Sequence, residues 1–156
     1  MHENRILIHK LKNFENINSN FLIITLMLFG SILLAISAKV QVPFWPVPMT
    51  MQTFVIFLIG MTYSVRLSFA TVAFYLFQGA IGLPVFAAGG GVAYLVGPTA
   101  GYLYGMLFAS IVISYLANLG FSKTYFKATL SLLIGSTVIF LFGIIYLGYI
   151  LSLIHI

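Results

Sequence analysis

The sequence predicts an all-α protein, a polytopic bundle of transmembrane helices, from its composition and from the spacing of its apolar runs. Of the 156 residues, 62% are hydrophobic and only 6% are charged, and the mean hydropathy is +1.13. Soluble domains are on average about half apolar and about one quarter charged. Because so few charged side chains cannot cover a water-soluble surface of this size, most of the surface is expected to face lipid or protein.

The apolar sequence divides into five predicted spans, which follow an N-terminal segment of residues 1–20. The first span is uncharged over 18 residues, which measure about 27 Å as a helix, close to the thickness of the hydrocarbon core. Within a membrane domain of residues 21–156, the spans are predicted at about 21–38, 51–65, 67–82, 99–119 and 128–150.

The second and third predicted spans are short for a bilayer, at about 21 to 24 Å each. A re-entrant hairpin is therefore one interpretation of this pair. Arg66 separates the two apolar runs and is suited to anchor a turn at the membrane interface, which favours two spans.

Two irregular segments interrupt the apolar pattern. Residues 39–50 contain Pro43, Pro46 and Pro48, which remove backbone donors and disfavour helix in the residues before them, so the first helix must end there. Residues 83–98 contain two prolines and three consecutive glycines, which mark a second non-helical segment.

The distribution of positive charge predicts the orientation in the membrane. Five spans with a cytoplasmic N-terminus place six of the seven Lys and Arg residues on the cytoplasmic side and only Lys39 on the other. The C-terminus and both irregular segments are then expected at the outer face. Irregular backbone near membrane depth is tolerated where it lines a cavity, so a binding site open to the outside is predicted.

The ionisable residues argue against an enzyme and against ion-coupled transport. The chain has no Asp and no Cys, and its two carboxylates, Glu3 and Glu15, precede the first span. Without carboxylates at membrane depth, a proton relay and metal-assisted catalysis both lack the groups that they need. The three His residues lie in the tail and at the far end, so we expect no metal site and no cofactor. No Walker A sequence is present, so another subunit would have to supply the energy for uphill transport.

Binding of a small, mostly apolar ligand remains, because the outer-face segments combine amides and hydroxyls with aromatic rings. Lys39, Gln41, Thr53 and Tyr94 belong to this set of suitable groups. The residues predicted to bind the ligand are Trp45, Thr50, Gln52, Phe86, Thr99 and Tyr102.

Each candidate also has a structural interpretation. Trp45 and the tyrosines suit an aromatic belt at the membrane interface, and Thr50 suits a helix cap. For Gln52 the ligand-binding interpretation is favoured, because a buried amide without a partner costs about 1 to 3 kcal/mol. A lysine at such a position more often extends to lipid headgroups, and for Lys39 a ligand carboxylate is the alternative partner.

Small residues on the first span give a separate signal. Ser31 and Ala35 lie four residues apart, a spacing that lets another helix approach closely. This spacing is compatible both with docking of a partner helix and with packing within the chain.

Four sequence blocks carry a family resemblance: Pro46-Val-Pro-Met-Thr-Met-Gln-Thr-Phe54, Tyr75-Leu-Phe-Gln-Gly79, Gly82-Leu-Pro-Val-Phe86 and Gly97-Pro-Thr-Ala-Gly-Tyr102. These blocks closely resemble the BioY family, the biotin-specific substrate-binding (S) components of energy-coupling factor (ECF) transporters. The resemblance covers residues of about 28–119 in order and with the expected spacing.

The resemblance implies a six-helix bundle in the cytoplasmic membrane of a prokaryote, which captures biotin at the outer face. It also implies docking onto a transmembrane coupling protein driven by two cytoplasmic ATPases, through a face of the first helix to which Ser31 and Ala35 correspond. The chain departs from the family pattern in two ways. The turn Ser64-Val-Arg66 stands where relatives often carry Gly-Pro-Arg, and a sixth helix with an Asp and a Lys is missing, so the chain looks truncated.

The sequence therefore predicts a non-enzymatic substrate-binding subunit of a biotin uptake transporter. Two alternatives are left open: an S component for another vitamin, and a structural membrane protein that transports nothing. In the preferred interpretation, Trp45, Phe86 and Tyr102 surround the apolar bicycle of biotin. Thr50, Gln52 and Thr99 are then offered to its ureido group or its carboxylate.

Overall fold

A bundle of α-helices forms the protein, as predicted. The computed structural model describes residues 19–45 and 47–154, so nearly all of the predicted N-terminal segment 1–20 lies outside the described residues. Two very short strands and one 3-10 turn, Phe121–Lys123, join the helices. In chain order the elements are α1 Ser19–Lys39, β1 Gln41–Val42, β2 Met49–Thr50, α2 Gln52–Thr62, α3 Val65–Ala80, α4 Val92–Leu95, α5 Ala100–Asn118 and α6 Tyr125–Ile154.

Three of the described helices are long and apolar enough to cross a membrane. The qualifying stretches are Asn20–Lys39, Ala100–Asn118 and Tyr125–Leu153. The helix α2 has 11 residues, about 17 Å, and α3 has 16 residues, about 24 Å, against a hydrocarbon core of about 30 Å. Helices therefore lie at all five predicted positions, and the number that fully cross the bilayer stays a prediction.

Both irregular segments contain more regular structure than the sequence predicts. In residues 39–50, β1 and β2 pair antiparallel with Gln41 opposite Thr50, and the backbone N–H of Met51 donates to the carbonyl of Val40 at 3.0 Å. The prolines that end α1 also favour an extended chain, and two facing extended pieces can satisfy each other's backbone groups. In residues 83–98, a single helical turn, α4, forms after the glycines.

Glycine allows α5 and α6 to pack closely along the bundle. A Cβ at Gly105 would lie 2.9 Å from the Cα of Ile139, and one at Gly101 would lie 2.4 Å from the Cβ of Tyr146. Small residues that bring helix backbones together are typical of membrane bundles, where dispersion contacts rather than hydrophobic exclusion hold helices together.

Both irregular segments lie at the same end of the bundle, as the parity of five predicted spans requires. We call it the site end: it carries residues 39–45, 47–52 and 83–99, where α1 and α3 end and α2 and α5 begin. The hydroxyl of Tyr146, late in α6, reaches the carbonyl of Val96 there at 3.2 Å. The turn between α2 and α3, which Arg66 follows, and the turn between α5 and α6 lie at the opposite end. Which side of a membrane each end faces stays a prediction.

Candidate functional site

A chain of hydrogen bonds runs through the site end. The hydroxyl of Thr50 donates to Oε1 of Gln52 at 3.0 Å, and Nε2 of Gln52 donates to the hydroxyl of Tyr75 at 2.7 Å. The Tyr75 hydroxyl then donates to the carbonyl of Val85 at 3.0 Å. Gln52 is 3% exposed and Tyr75 is 1% exposed, so the chain ties α2, α3 and the segment 83–98 together in the interior.

Gln52 takes part in these hydrogen bonds because it is the first residue of α2. The pairing of β1 with β2 ends at Thr50, Met51 closes the turn, and the first helical residue is Gln52. No side chain caps this helix end, so the cap predicted as one role for Thr50 is absent. Its hydroxyl instead holds the Gln52 amide, which fixes the direction in which the amide donates and accepts.

The ring of Phe86 fills the space beside this chain. Phe86 is fully buried, its ring centre lies 5.5 Å from that of Tyr75 in an edge-to-face arrangement, and 4.9 Å from that of Tyr94 in a stacked one. The ring rests on Gly79, where an added Cβ would lie 2.0 Å from its Cζ atom. The backbone N–H of Gly91 donates to the carbonyl of Gly79 at 2.7 Å, so this segment folds directly onto the end of α3.

Two polar side chains from the end of α1 and from β1 hold the same segment from the other side. Nζ of Lys39 donates to the carbonyl of Phe86 at 2.7 Å. Nε2 of Gln41 reaches the carbonyl of Ala87 at 3.5 Å. The hairpin and the segment 83–98 are therefore joined across the site end by side chains as well as through the Gln52–Tyr75 pair.

The other predicted ligand-binding residues lie apart from the Gln52–Tyr75 pair. Trp45, in the turn of the hairpin, is 90% exposed. Thr99 is half-buried and immediately precedes α5, and its hydroxyl does not cap the helix. Tyr102 is half-buried and its ring faces α6, edge-to-face with Phe140 at 6.3 Å. The structure thus links Thr50, Gln52 and Phe86 through Tyr75 and shows no hydrogen bond or ring contact of Trp45, Thr99 or Tyr102 with them among the described residues.

The predicted docking pair on α1 is partly used within the chain. Ser31 is buried, and its hydroxyl donates to Oε1 of Gln78 on α3. An added Cβ at Gly30 would lie 2.7 Å from Cγ2 of Thr71, also on α3. The small residues here allow α1 to approach α3, and this packing explains why a small residue stands at position 31. Ala35 is half-buried. A docking role for Ser31 and Ala35 stays a prediction.

Two residues that form these side-chain contacts, Tyr75 with Gln52 and Gln78 with Ser31, are absent from the predicted site residues. Gln78 is an amide inside an apolar helix, the same signal that singled out Gln52, so the sequence carried the information. Tyr75 had no comparable signal, because a tyrosine in an apolar run is as well explained by the membrane interface or by the core. Both residues lie in the block Tyr75–Gly79, which indicated the family through its sequence but did not by itself indicate which of its side chains are buried and bonded.

The arrangement can bind a small molecule that has an apolar body and a few polar atoms. Its walls are aromatic, and Leu34, Tyr75 and Met106 are among the side chains that pack beneath it around a gap too narrow for a water molecule. Its polar groups are amides, hydroxyls and one ammonium, and the described residues include no carboxylate. Groups of this kind orient and hold a ligand by hydrogen bonds.

Comparison with known proteins gives one consistent result. The sequence profile of the BioY family matches residues 10–155. A "Probable biotin transporter BioY" of Rickettsia prowazekii (strain Madrid E) is 34% identical over 137 residues, which are 87% of this chain and 70% of that protein. A "Biotin transporter BioY" of Thermotoga maritima is 37% identical over 118 residues, which are 75% of this chain and 69% of that protein.

One solved structure has the same fold. It is described as the crystal structure at 2.1 Å of the S-component for biotin from an ECF-type ABC transporter, and it matches with a TM-score of 0.76 at 25% sequence identity. The match covers 86% of this chain and 75% of that chain.

Proposed function

The chain belongs to the BioY family, and we propose that it is the biotin-binding membrane subunit of an ECF-type transporter. The observation that carries the proposal is the match of nearly the whole chain to relatives named as biotin transporters. The structural neighbour, an S-component for biotin, shares the fold over 86% of this chain. A subunit of this kind binds its substrate and carries out no covalent chemistry.

We further propose that biotin binds at the site end, around the chain of hydrogen bonds through Gln52. Three of the sequence blocks that resemble the family contribute Gln52, Tyr75 and Phe86, which lie in contact although they are far apart in sequence. The apolar bicycle of biotin would pack against Phe86, with Trp45 and Tyr102 closing its sides. The ureido group is matched by the donors and acceptors of Thr50, Gln52 and Thr99.

In this proposal the site end faces the outside of a prokaryotic cytoplasmic membrane, and the N-terminus lies in the cytoplasm. The positive charge supports the orientation, because Lys123 and the first helical turns that contain Arg66 and Lys127 lie at the opposite end. Energy for transport would come from a transmembrane coupling protein and two cytoplasmic ATPases, because ion coupling would need acidic groups that the residues from 16 onward do not include.

Direct binding measurements test the proposal. The purified chain, in detergent or in lipid nanodiscs, should bind radiolabelled biotin, and unlabelled riboflavin or thiamine should not displace it. Gln52→Leu should weaken binding by about tenfold or more, because one hydrogen bond of a buried polar group is lost. Thr137→Val, on the exposed surface of α6, serves as the control and should bind as the wild type does.

The outcomes separate two levels of the proposal. Absence of biotin binding, or displacement by another vitamin at equal concentration, would contradict the function. Wild-type affinity in a folded Gln52→Leu variant would leave the function intact and remove Gln52 from the site.

A further inference from the structure

Lys39 stands out among the polar residues of the site end because it is charged and the described part of the chain holds no acidic side chain. It is the last residue of α1, and its Nζ donates to a neutral acceptor, the carbonyl of Phe86, at 2.7 Å. The two Glu residues of the sequence, Glu3 and Glu15, lie outside the described residues.

The position of Lys39 differs from that of the other described cations. Arg66, Lys123 and Lys127 are exposed at the opposite end of the bundle, where the charge is explained by orientation in the membrane. Lys39 is also exposed, but it lies at the site end, and its Nζ contacts the backbone carbonyl of Phe86, a fully buried residue whose ring packs on Tyr75.

The site end therefore carries polar groups of two kinds. Gln52 and Tyr75 offer uncharged donors and acceptors. Lys39 has three donors, and the Phe86 carbonyl is the acceptor found for it among the described residues. A ligand that complements both kinds has a neutral hydrogen-bonding group, an apolar body and an anionic group.

We infer that Lys39 binds the carboxylate of the ligand, while the neutral ureido group faces Gln52. This assignment rests on the proposed function and makes it more specific, because biotin carries both groups at opposite ends of an apolar body. A hydrogen bond between an ammonium and a carboxylate is shorter and stronger than one between neutral groups. Lys39 is thus a specificity residue that distinguishes the acid from its uncharged derivatives.

The test compares biotin with biotin methyl ester, which has the same ring and chain but no negative charge. The wild-type chain should bind the acid about 10- to 100-fold more tightly than the ester, the range expected of one charge-assisted hydrogen bond. In Lys39→Met the ratio of the two affinities should fall to about one, and in Lys39→Arg the preference for the acid should persist. Lys123→Met, which removes a cation from the opposite end, should keep the wild-type ratio.

The ratio isolates the charge from the structural role of Lys39. Loss of its bond to the Phe86 carbonyl would weaken the binding of acid and ester alike and leave the ratio unchanged. Equal affinities in the wild type, or an unchanged preference in Lys39→Met, would overturn the inference and leave Lys39 facing lipid phosphate or solvent. If Lys39→Met does not fold, the ratio in the wild type and in Lys39→Gln still decides. A wild-type chain that binds neither compound would refute the proposed function, and this assignment with it.

Discussion

Replacement of Gly79 by alanine is the sharpest test of how the site is assembled. The new Cβ would lie 2.0 Å from Cζ of Phe86, far inside contact distance, and the ring is held by Tyr75 at 5.5 Å and Tyr94 at 4.9 Å. Overpacking of this kind costs about 1 to 3 kcal/mol, and expulsion of the ring would approach the roughly 3 to 5 kcal/mol of a Phe→Ala change. We expect Gly79→Ala to lower the free energy of unfolding by about 1 to 3 kcal/mol and to weaken biotin binding about tenfold or more.

The assay is thermal unfolding of the purified chain with and without biotin, together with a binding isotherm. Gly148→Ala is the matched control, since it is also a glycine within a helix and its added Cβ would meet nothing within 4 Å. In a Phe86→Ala background, Gly79→Ala should cost less than about 0.5 kcal/mol, because the clashing ring is gone. An equal cost in both backgrounds would refute the account, since it would mean that Gly79 acts through something other than Phe86.

Three further predictions use the same measurements. Tyr75→Phe leaves the buried Gln52 amide and the carbonyl of Val85 without their shared hydroxyl, so it should cost about 1 to 3 kcal/mol in stability and also weaken binding; wild-type affinity would contradict this. Ser114→Ala removes one hydroxyl donor, which two backbone carbonyls share at the opposite end, and should cost about 1 kcal/mol in stability with affinity unchanged. Trp45 is the only tryptophan of the chain, so its emission should change as biotin is added; an unaltered spectrum at saturation would place it outside the site.

The sequence predicted the helical elements well because apolar runs and helix breakers act locally. The prolines after Lys39 end α1, and the long run after Lys127 forms α6, which begins three residues earlier and ends four residues later than predicted. The pairing of Gln41 with Thr50 was missed. It depends on two extended pieces meeting across a turn, and no local pattern in a proline-rich segment specifies that meeting.

The burial of Gln52 could be predicted because its signal is energetic, whereas its partner could not, because that contact is geometric. Whether Gln52 binds the ligand stays a prediction. A buried amide has to find a partner, so Gln52 could be singled out without knowledge of the fold. Its partner, Tyr75, is 23 residues away, and only the packing of α2 beside α3 brings the two together. The same limit applies to Ser31, since the spacing of small residues predicts a close helix contact without specifying which helix makes it.

The two ends of the bundle use buried polar groups differently, and this contrast indicates where a ligand can bind. At the opposite end, the hydroxyls of Ser68 and Ser114 donate to backbone carbonyls of neighbouring helices, a use that holds helices together. At the site end, the Gln52 amide can form four hydrogen bonds but forms two, one with Thr50 and one with Tyr75. Unused capacity in a buried amide is what a ligand can satisfy. Ser114→Ala should therefore change stability alone, and Tyr75→Phe should change stability and affinity together; equal effects of both variants on affinity would mean that the two ends do not act separately.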